Sequence, residues 1–98
     1  MQVRWSLDAI EDLDNLFEYI AEDSVDNAMQ FVLKIRERAN DLAFDPKQGV
    51  EIPELNDERF RKLYYKGYAI VYEIQENSIL VHEVYNQNRK FVRTVKLK

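Results

Sequence analysis

The sequence has no cysteine, one histidine, two glycines and two prolines in 98 residues. Without cysteine it has no disulfide bond, thiolate metal site or thiol nucleophile, and one histidine is too few for a histidine-based zinc site. The scarcity of glycine and proline, beside 46% hydrophobic residues, argues against disorder and collagen-like repeats. The length suits one hydrophobic core, and we predict a single domain over residues 1–98.

Long apolar segments and phosphate-binding loops are also missing. The longest apolar run covers residues 68–72, far short of the roughly 20 residues that span a bilayer. The N-terminal residues 1–5 lack the apolar core of a signal peptide. The two glycines, Gly49 and Gly67, stand 18 positions apart, so they form no glycine-rich loop. We predict a cytoplasmic protein with no membrane association, no cofactor and no metal.

Charge is distributed unevenly along the chain. Residues 1–58 hold 5 Lys/Arg and 15 Asp/Glu, a balance of −10, whereas residues 59–98 hold 9 and 3, a balance of +6. The last ten residues carry five positive charges and no negative one. The basic half either offers a surface to a polar partner or neutralises the acidic half within one fold.

The first half of the chain has the period of helices after a short strand at residues 2–5. Ser6 has the chemistry of an N-cap, and apolar residues then recur every three or four positions, which predicts an amphipathic helix of about 16 residues. A break at Asp23-Ser24 begins a second helix, which should end near Phe44 because Asp45 precedes a proline. So short a connection predicts an antiparallel helical hairpin. Residues 45–57 form the only long loop.

The second half changes to the period of strands. Residues 59–65 are rich in aromatic side chains and stop at Lys66-Gly67, which favours a tight turn. Strands are predicted at 68–74 and from Ile79 to Tyr85, and the basic tail adds either an edge strand or a short helix. The order is β-α-α-β-β-β. We predict an α+β fold in which the helical hairpin packs on one face of a small antiparallel sheet.

Few side chains suggest acid–base chemistry. A solvated helix face accounts for the acidic residues Asp8, Glu11, Asp12 and Glu18. His82, inside an apolar strand, is either a general base or, more commonly for a lone histidine, a hydrogen-bonded strand residue. No acid is placed by the sequence to orient it, and no nucleophile motif lies nearby.

Aromatic and basic residues occur together in the second half. Aromatic rings beside arginines can stack on unpaired bases while the guanidinium groups hold phosphates, although strand tyrosines more often pack across a sheet. We interpret most of these tyrosines as structural and the basic cluster as the functional candidate. The aromatic set is Trp5, Tyr64, Tyr65, Tyr68, Tyr72, Tyr85 and Phe91, and the arginines are Arg59, Arg61, Arg89 and Arg93.

These positions together resemble the RelE/ParE superfamily of bacterial toxins from type II toxin–antitoxin (plasmid stabilisation) modules. The resemblance covers essentially the whole chain and is carried by spaced positions. They are Trp5-Ser6, Ala9, Asp12-Leu13, Tyr19-Ile20, Ala28, Phe31, Ile35, Leu42, Pro46, Gly49, Pro53-Glu54-Leu55, Arg59 and the strands 68–72 and 79–84. The resemblance implies a small toxin that inhibits growth, is neutralised by a co-encoded antitoxin and forms a hetero-oligomer with it.

Two activities divide the superfamily. RelE-like members cleave messenger RNA on the ribosome with lysines, arginines and a tyrosine, whereas ParE-like members poison DNA gyrase. Arg59 and Arg61 fall near the positions of the RelE-like lysines. Ala69, however, stands at the position of the first catalytic arginine, and Phe91, which has no hydroxyl, is nearest the position of the catalytic tyrosine. A metal-independent ribonuclease would therefore depend on Arg59, Arg61, Tyr85 and Arg89.

The N-terminal half is more similar to the ParE branch, which needs a protein-binding surface and no catalytic constellation. We predict a ParE-like toxin whose partners are its antitoxin and DNA gyrase. The alternatives are a ribosome-dependent endoribonuclease acting on messenger RNA and a degenerate member that binds an antitoxin without toxicity. The candidates for binding the target or the antitoxin are basic: Arg59, Arg61, Lys62, Arg89, Lys90 and Arg93.

Overall fold

The computed structural model describes residues 1–88, so the predicted tail element from Arg89 lies outside the described residues. The predicted order is confirmed, with one further short strand in the loop. The strands are β1 (Gln2–Trp5), β2 (Val50–Glu51), β3 (Phe60–Tyr65), β4 (Tyr68–Ile74) and β5 (Ser78–Asn86). The helices are α1 (Leu7–Ala21) and α2 (Val25–Asn40), with single 3-10 turns at Asp41–Ala43, Pro46–Gln48 and Pro53–Leu55.

Both helices begin where the sequence indicates. The Ser6 hydroxyl oxygen accepts a hydrogen bond from the Ala9 amide at 3.0 Å, and Ser24 does the same for Asn27 at 3.1 Å. Each serine thus satisfies one of the amides that a helix leaves unpaired at its start. The α2 helix ends at Asn40, earlier than predicted, and the following 3-10 turn carries the chain to Ala43.

The five strands form one sheet in the order β1-β5-β4-β3-β2. Strands β3 to β5 pair antiparallel, as predicted, and the additional β2 pairs antiparallel with β3. Strand β1 instead pairs parallel to β5, so the sheet is mixed. A parallel pair needs a crossover, which the helical hairpin supplies between β1 and the rest of the sheet. The prediction of a small antiparallel sheet therefore holds for β3 to β5 but was wrong for β1.

The helices pack on one sheet face and form the core with it. Alternation along the strands directs Leu63, Ile70 and Tyr72 to this inner face, where they meet Leu13 and Ile35 of the helices. Alternate residues point to the opposite face, which we call the outer face. It comprises Arg4, Phe60, Lys62, Tyr64, Ala69, Val71, Glu73, Leu80, His82, Glu83 and Tyr85.

A β-bulge interrupts β5 opposite β4. Val71 pairs with Glu83 and Tyr72 with Val81, which leaves His82 as the extra residue. Helix α1 and its N-cap satisfy the groups around this irregularity. The Ser6 hydroxyl donates to the His82 carbonyl oxygen at 3.0 Å, and the Val84 amide donates to Asp12 Oδ2 at 2.9 Å. The prediction that Asp12 belongs only to a solvated helix face was therefore wrong.

The long loop is attached to the core by one tyrosine. The buried Tyr72 hydroxyl donates to the Pro46 carbonyl oxygen at 2.6 Å and accepts from the Gly49 amide at 3.0 Å. A Cβ on Gly49 would lie 2.7 Å from both the Lys62 carbonyl oxygen and the Tyr72 hydroxyl. Glycine is thus required here by close approach, and the structural interpretation of Tyr72 is confirmed. Among the described helices, none combines the length and apolar character of a membrane span.

Candidate functional site

Lys62 and Tyr85 meet on the outer face, although they come from different strands. Lys62 points outward from β3, and its Nζ lies 5.8 Å from the centre of the Tyr85 ring on β5. Partial burial of Lys62 disfavours its charged form and by itself would lower its pKa. The interaction with Tyr85, helped by smaller contributions from Tyr64 and Glu54, is stronger, so the pKa of Lys62 is raised. The result is a cation fixed beside an aromatic ring, with the half-exposed Tyr64 on the same face.

Arg61 lies on the other side of the sheet from Lys62. It pairs in register with the buried Tyr72, so its side chain leaves β3 on the inner face. Its guanidinium donates to the Gly49 carbonyl oxygen at 3.0 Å and to the Glu58 carbonyl oxygen at 3.1 Å, with Glu51 at 3.7 Å. Only 11% of the side chain is exposed. Arg61 therefore fastens the long loop to β3.

Arg59, just before β3, forms a local ion pair. Its guanidinium binds the Asp57 carboxylate, with Nη2 at 2.7 Å from Oδ2, while its backbone amide donates to Oδ1 at 3.0 Å. These hydrogen bonds with Arg59 lower the pKa of Asp57 to about 2. The arginine side chain remains 60% exposed, so this charge is available at the surface.

His82 has an acidic neighbour that the sequence pattern did not reveal. Its Nε2 lies 2.9 Å from Glu73 Oε1 on β4, and its ring lies 5.7 Å from that of Phe60. The bulge places His82 beside Glu83 on the outer face, where strict alternation would have separated the two residues. The expectation that no acid orients His82 was therefore wrong, and the interpretation of His82 as a hydrogen-bonded strand residue is confirmed.

The ribonuclease candidates do not converge in the part of the chain that the structure describes. Arg61 lies on the inner face and Tyr85 on the outer face, so the sheet separates their side chains. The remaining basic candidates Arg89, Lys90 and Arg93, and Phe91 of the aromatic set, lie outside the described residues. Within residues 1–88 no three His, Asp or Glu side chains cluster in a way that could hold a metal ion.

Sequence reasoning identified Lys62 and Tyr85 singly but not as a pair. Their strands are separated by β4 in the sheet, and no local pattern reports which residues meet across an intervening strand. The Glu73–His82 pair was missed for a related reason, because the bulge shifts the register between β4 and β5. The signal available in the sequence was only that β3, β4 and β5 each carry polar side chains among apolar ones.

Comparison with known proteins gives one family and a shared fold. The family model described as "ParE toxin of type II toxin-antitoxin system, parDE" matches residues 3–91. No curated protein matches the sequence significantly.

Two solved structures have a similar fold at low sequence identity. A chain of the chromosomal ParDE TA system from P. aeruginosa matches with a TM-score of 0.73 and 20% identity, covering 88% of this chain and 95% of that one. The conserved hypothetical protein HP0894 from Helicobacter pylori matches with a TM-score of 0.51 and 18% identity, covering 93% and 99%. At such identities the two likenesses establish the α+β architecture alone.

Proposed function

Because the chain belongs to the ParE toxin family of type II toxin–antitoxin systems, we propose that it inhibits DNA gyrase and that its cognate antitoxin neutralises it. The inhibition is stoichiometric binding and not a catalysed reaction. A system of this type implies an antitoxin partner, whereas gyrase as the target is our proposal.

The position of Arg61 is the observation that supports binding over RNA cleavage. Cleavage without a metal needs cations and a proton-transfer group gathered around one phosphate. Arg61 and Tyr85, two members of the ribonuclease set, project from opposite faces of the sheet. Moreover, the Arg61 guanidinium is already engaged by Gly49 and Glu58. One RNA phosphate cannot be reached by both side chains while the sheet is intact.

The outer face offers features that suit a protein partner. Lys62 stands on the Tyr85 ring, with Tyr64 beside it on the same strand and 48% exposed. Tyrosine is enriched among the residues that dominate protein interfaces, and the cation beside the Tyr85 ring adds a polar group that a partner can contact. Arg59, just before the same strand and paired with Asp57, adds a guanidinium that is 60% exposed. We propose that Lys62 and Arg59 contact the target together with Arg89, Lys90 and Arg93.

A supercoiling assay tests the proposal directly. The purified chain is titrated against gyrase on relaxed plasmid DNA, with linear and nicked products followed on the same gels. We expect inhibition that saturates near one toxin per binding site. Lys62→Glu should weaken the inhibition about tenfold, because reversing a buried or half-buried charge at an interface typically lowers the affinity by that factor or more. Lys34→Glu, on an exposed part of α2, makes the same charge change and should leave inhibition intact.

A parallel assay addresses the ribonuclease alternative. Messenger RNA on translating ribosomes is incubated with the chain, and new 5′ ends are mapped. Codon-phased cuts that disappear in an Arg59→Ala/Arg61→Ala variant, with gyrase unaffected, would replace our proposal by the RelE-like activity. Loss of both activities, with antitoxin binding retained, would identify a degenerate member of the family.

A further inference from the structure

The Arg59 side chain is exposed and at the same time held in one orientation. Its Nε donates to Asp57 Oδ1 at 3.1 Å and its Nη2 donates to Asp57 Oδ2 at 2.7 Å, so one edge of the guanidinium lies along the carboxylate. A two-point contact of this kind fixes the plane of a guanidinium as well as its position. Most of the arginine side chain nevertheless remains open to solvent, whereas Asp57 is partly covered.

The backbone holds the Asp57 carboxylate in turn. Its Oδ1 also accepts a hydrogen bond from the Arg59 amide at 3.0 Å, so one carboxylate binds both the main chain and the side chain of the same residue. The Asp57 carbonyl oxygen accepts from the Phe60 amide at 3.1 Å, and the Arg59 carbonyl oxygen accepts from the Ile74 amide at 2.8 Å. The segment from Asp57 to Phe60 is therefore a closed turn that is attached to β4.

Arg61 holds the same turn from the inner face. Its Nε donates to the Glu58 carbonyl oxygen at 3.1 Å, and its Nη1 donates to the Gly49 carbonyl oxygen at 3.0 Å. Glu58 is the residue between Asp57 and Arg59, so the backbone that joins the acid to the base is itself fixed. The Arg59 guanidinium thus occupies a defined place beside the outer face, 5.9 Å from the centre of the Phe60 ring.

One edge of the Arg59 guanidinium is left for a ligand. A guanidinium has five N–H groups, and within residues 1–88 its hydrogen bonds go to the Asp57 carboxylate through Nε and Nη2. The N–H groups of Nη1 are not used in these bonds. They suit a carboxylate, which is the anion that a protein partner offers and which accepts from arginine with good geometry.

Two effects of Asp57 on such a contact oppose each other. Immobilising a long side chain at an interface costs conformational entropy, and Arg59 has already lost much of this freedom on folding because Asp57 holds it. The negative charge of Asp57 disfavours an anionic partner, but exposed charges interact weakly in water and are screened by salt. Orientation is not screened, so the first effect should exceed the second at physiological ionic strength.

We propose that Asp57 is a positioning residue for target binding, which holds Arg59 so that the Nη1 edge of its guanidinium meets a carboxylate of the target protein. Asp57 makes no contact with the target itself and acts through Arg59. This inference rests on the proposed function, in which Arg59 contacts gyrase, and it adds the chemical group that Arg59 recognises.

A double-mutant cycle in the gyrase supercoiling assay tests the inference. The inhibitory concentration is measured for the full-length chain, for Asp57→Ala, for Arg59→Ala and for the double variant Asp57→Ala/Arg59→Ala. Asp57→Ala should weaken inhibition about fivefold, which is the usual effect of having to order one long side chain on binding. In the Arg59→Ala background the same change should have no effect, because the residue through which Asp57 acts is absent.

Two further variants separate positioning from charge and from folding. Glu58→Ala removes the same charge from the neighbouring exposed position and should leave inhibition unchanged. Asp57→Asn keeps an acceptor at Oδ1 for the Arg59 amide and Nε, so it should lose less inhibition than Asp57→Ala. Circular dichroism establishes that each variant is folded.

Nuclear magnetic resonance of the Arg59 Nε–H group measures the positioning without gyrase. Its order parameter should approach that of rigid backbone, about 0.85, in the full-length chain and fall below about 0.6 in Asp57→Ala. An Nε–H group that is already mobile in the unsubstituted chain overturns the inference.

The outcomes of the cycle distinguish this inference from the proposed function. The inference is wrong, while gyrase inhibition stands, if Arg59→Ala has no effect, if Asp57→Ala strengthens inhibition, or if it weakens inhibition equally with and without Arg59. A chain that does not inhibit gyrase at all contradicts the proposed function and this inference together.

Discussion

The single residue that most constrains the fold near the candidate site is Tyr72. Its ring belongs to the core, while its hydroxyl holds two backbone groups of the long loop. Burial raises the pKa of Tyr72, so the hydroxyl keeps its proton and continues to donate to the Pro46 carbonyl oxygen. The Tyr72 ring thus packs in the core while its hydroxyl orders the loop.

Tyr72→Phe should lower the free energy of unfolding by roughly 2–3 kcal/mol, because it removes two hydrogen bonds and leaves the Gly49 amide unpaired. Urea unfolding followed by circular dichroism measures this change. Tyr64→Phe deletes the same atom from a half-exposed residue and should shift stability by less than about 0.5 kcal/mol. Equal losses in the two variants would contradict the role that we assign to the Tyr72 hydroxyl.

Alternation along β3 is sufficient to separate Arg61 from Lys62, since successive strand residues face opposite sides of a sheet. What alternation cannot provide is the partner of each residue. Arg61 is held by backbone carbonyls of a loop, and Lys62 by a ring two strands away. Both contacts depend on tertiary geometry and leave no periodic trace in the sequence.

At the scale of elements, the bulge in β5 depends on the first helix and its cap. The Val84 amide is buried and donates to the Asp12 side chain, which reaches it from α1. Ser6 serves both structures, because it caps α1 and also donates to the His82 carbonyl oxygen. The helix start and the strand irregularity therefore stabilise each other.

Asp12→Ala should destabilise the chain by about 1–3 kcal/mol, the usual cost of leaving a buried amide unpaired. Asp12→Asn keeps an acceptor oxygen and should lose less. Glu11→Ala, one position away on the exposed side of α1, serves as the control for the loss of one carboxylate. Hydrogen exchange at the Val84 amide is the direct measurement, and unchanged protection in Asp12→Ala would rule out this contact as the cause.

The helices and hairpin were predictable because their signals are local. Serine caps, a period of three to four and the Lys66-Gly67 turn all act within a few residues, and each is present. The parallel pairing of β1 was not predictable in this way. Four residues with two apolar positions indicate which side faces the core, but they carry no information about the neighbouring strand.

At the scale of the whole molecule, charge divides the chain into an acidic part and a basic part. The helical layer is acidic, while the excess of positive charge lies in the second half of the sequence. Residues 59–88 contribute only +1 of that half's +6, so the remaining +5 belongs to residues 89–98. In our proposal of target binding, the charge asymmetry therefore favours the basic residues 89–98 over the described sheet.

One core cluster joins β1, both helices and strands β3 to β5, and this continuity predicts cooperative unfolding. Trp5 is the only tryptophan and reports on the β1 edge, whereas far-ultraviolet circular dichroism reports mainly on the helices. The two signals should give coincident urea transitions at a fixed low concentration. Fluorescence that changes first would show that β1, which pairs with the sheet along four residues, detaches before the helical hairpin and the antiparallel strands unfold.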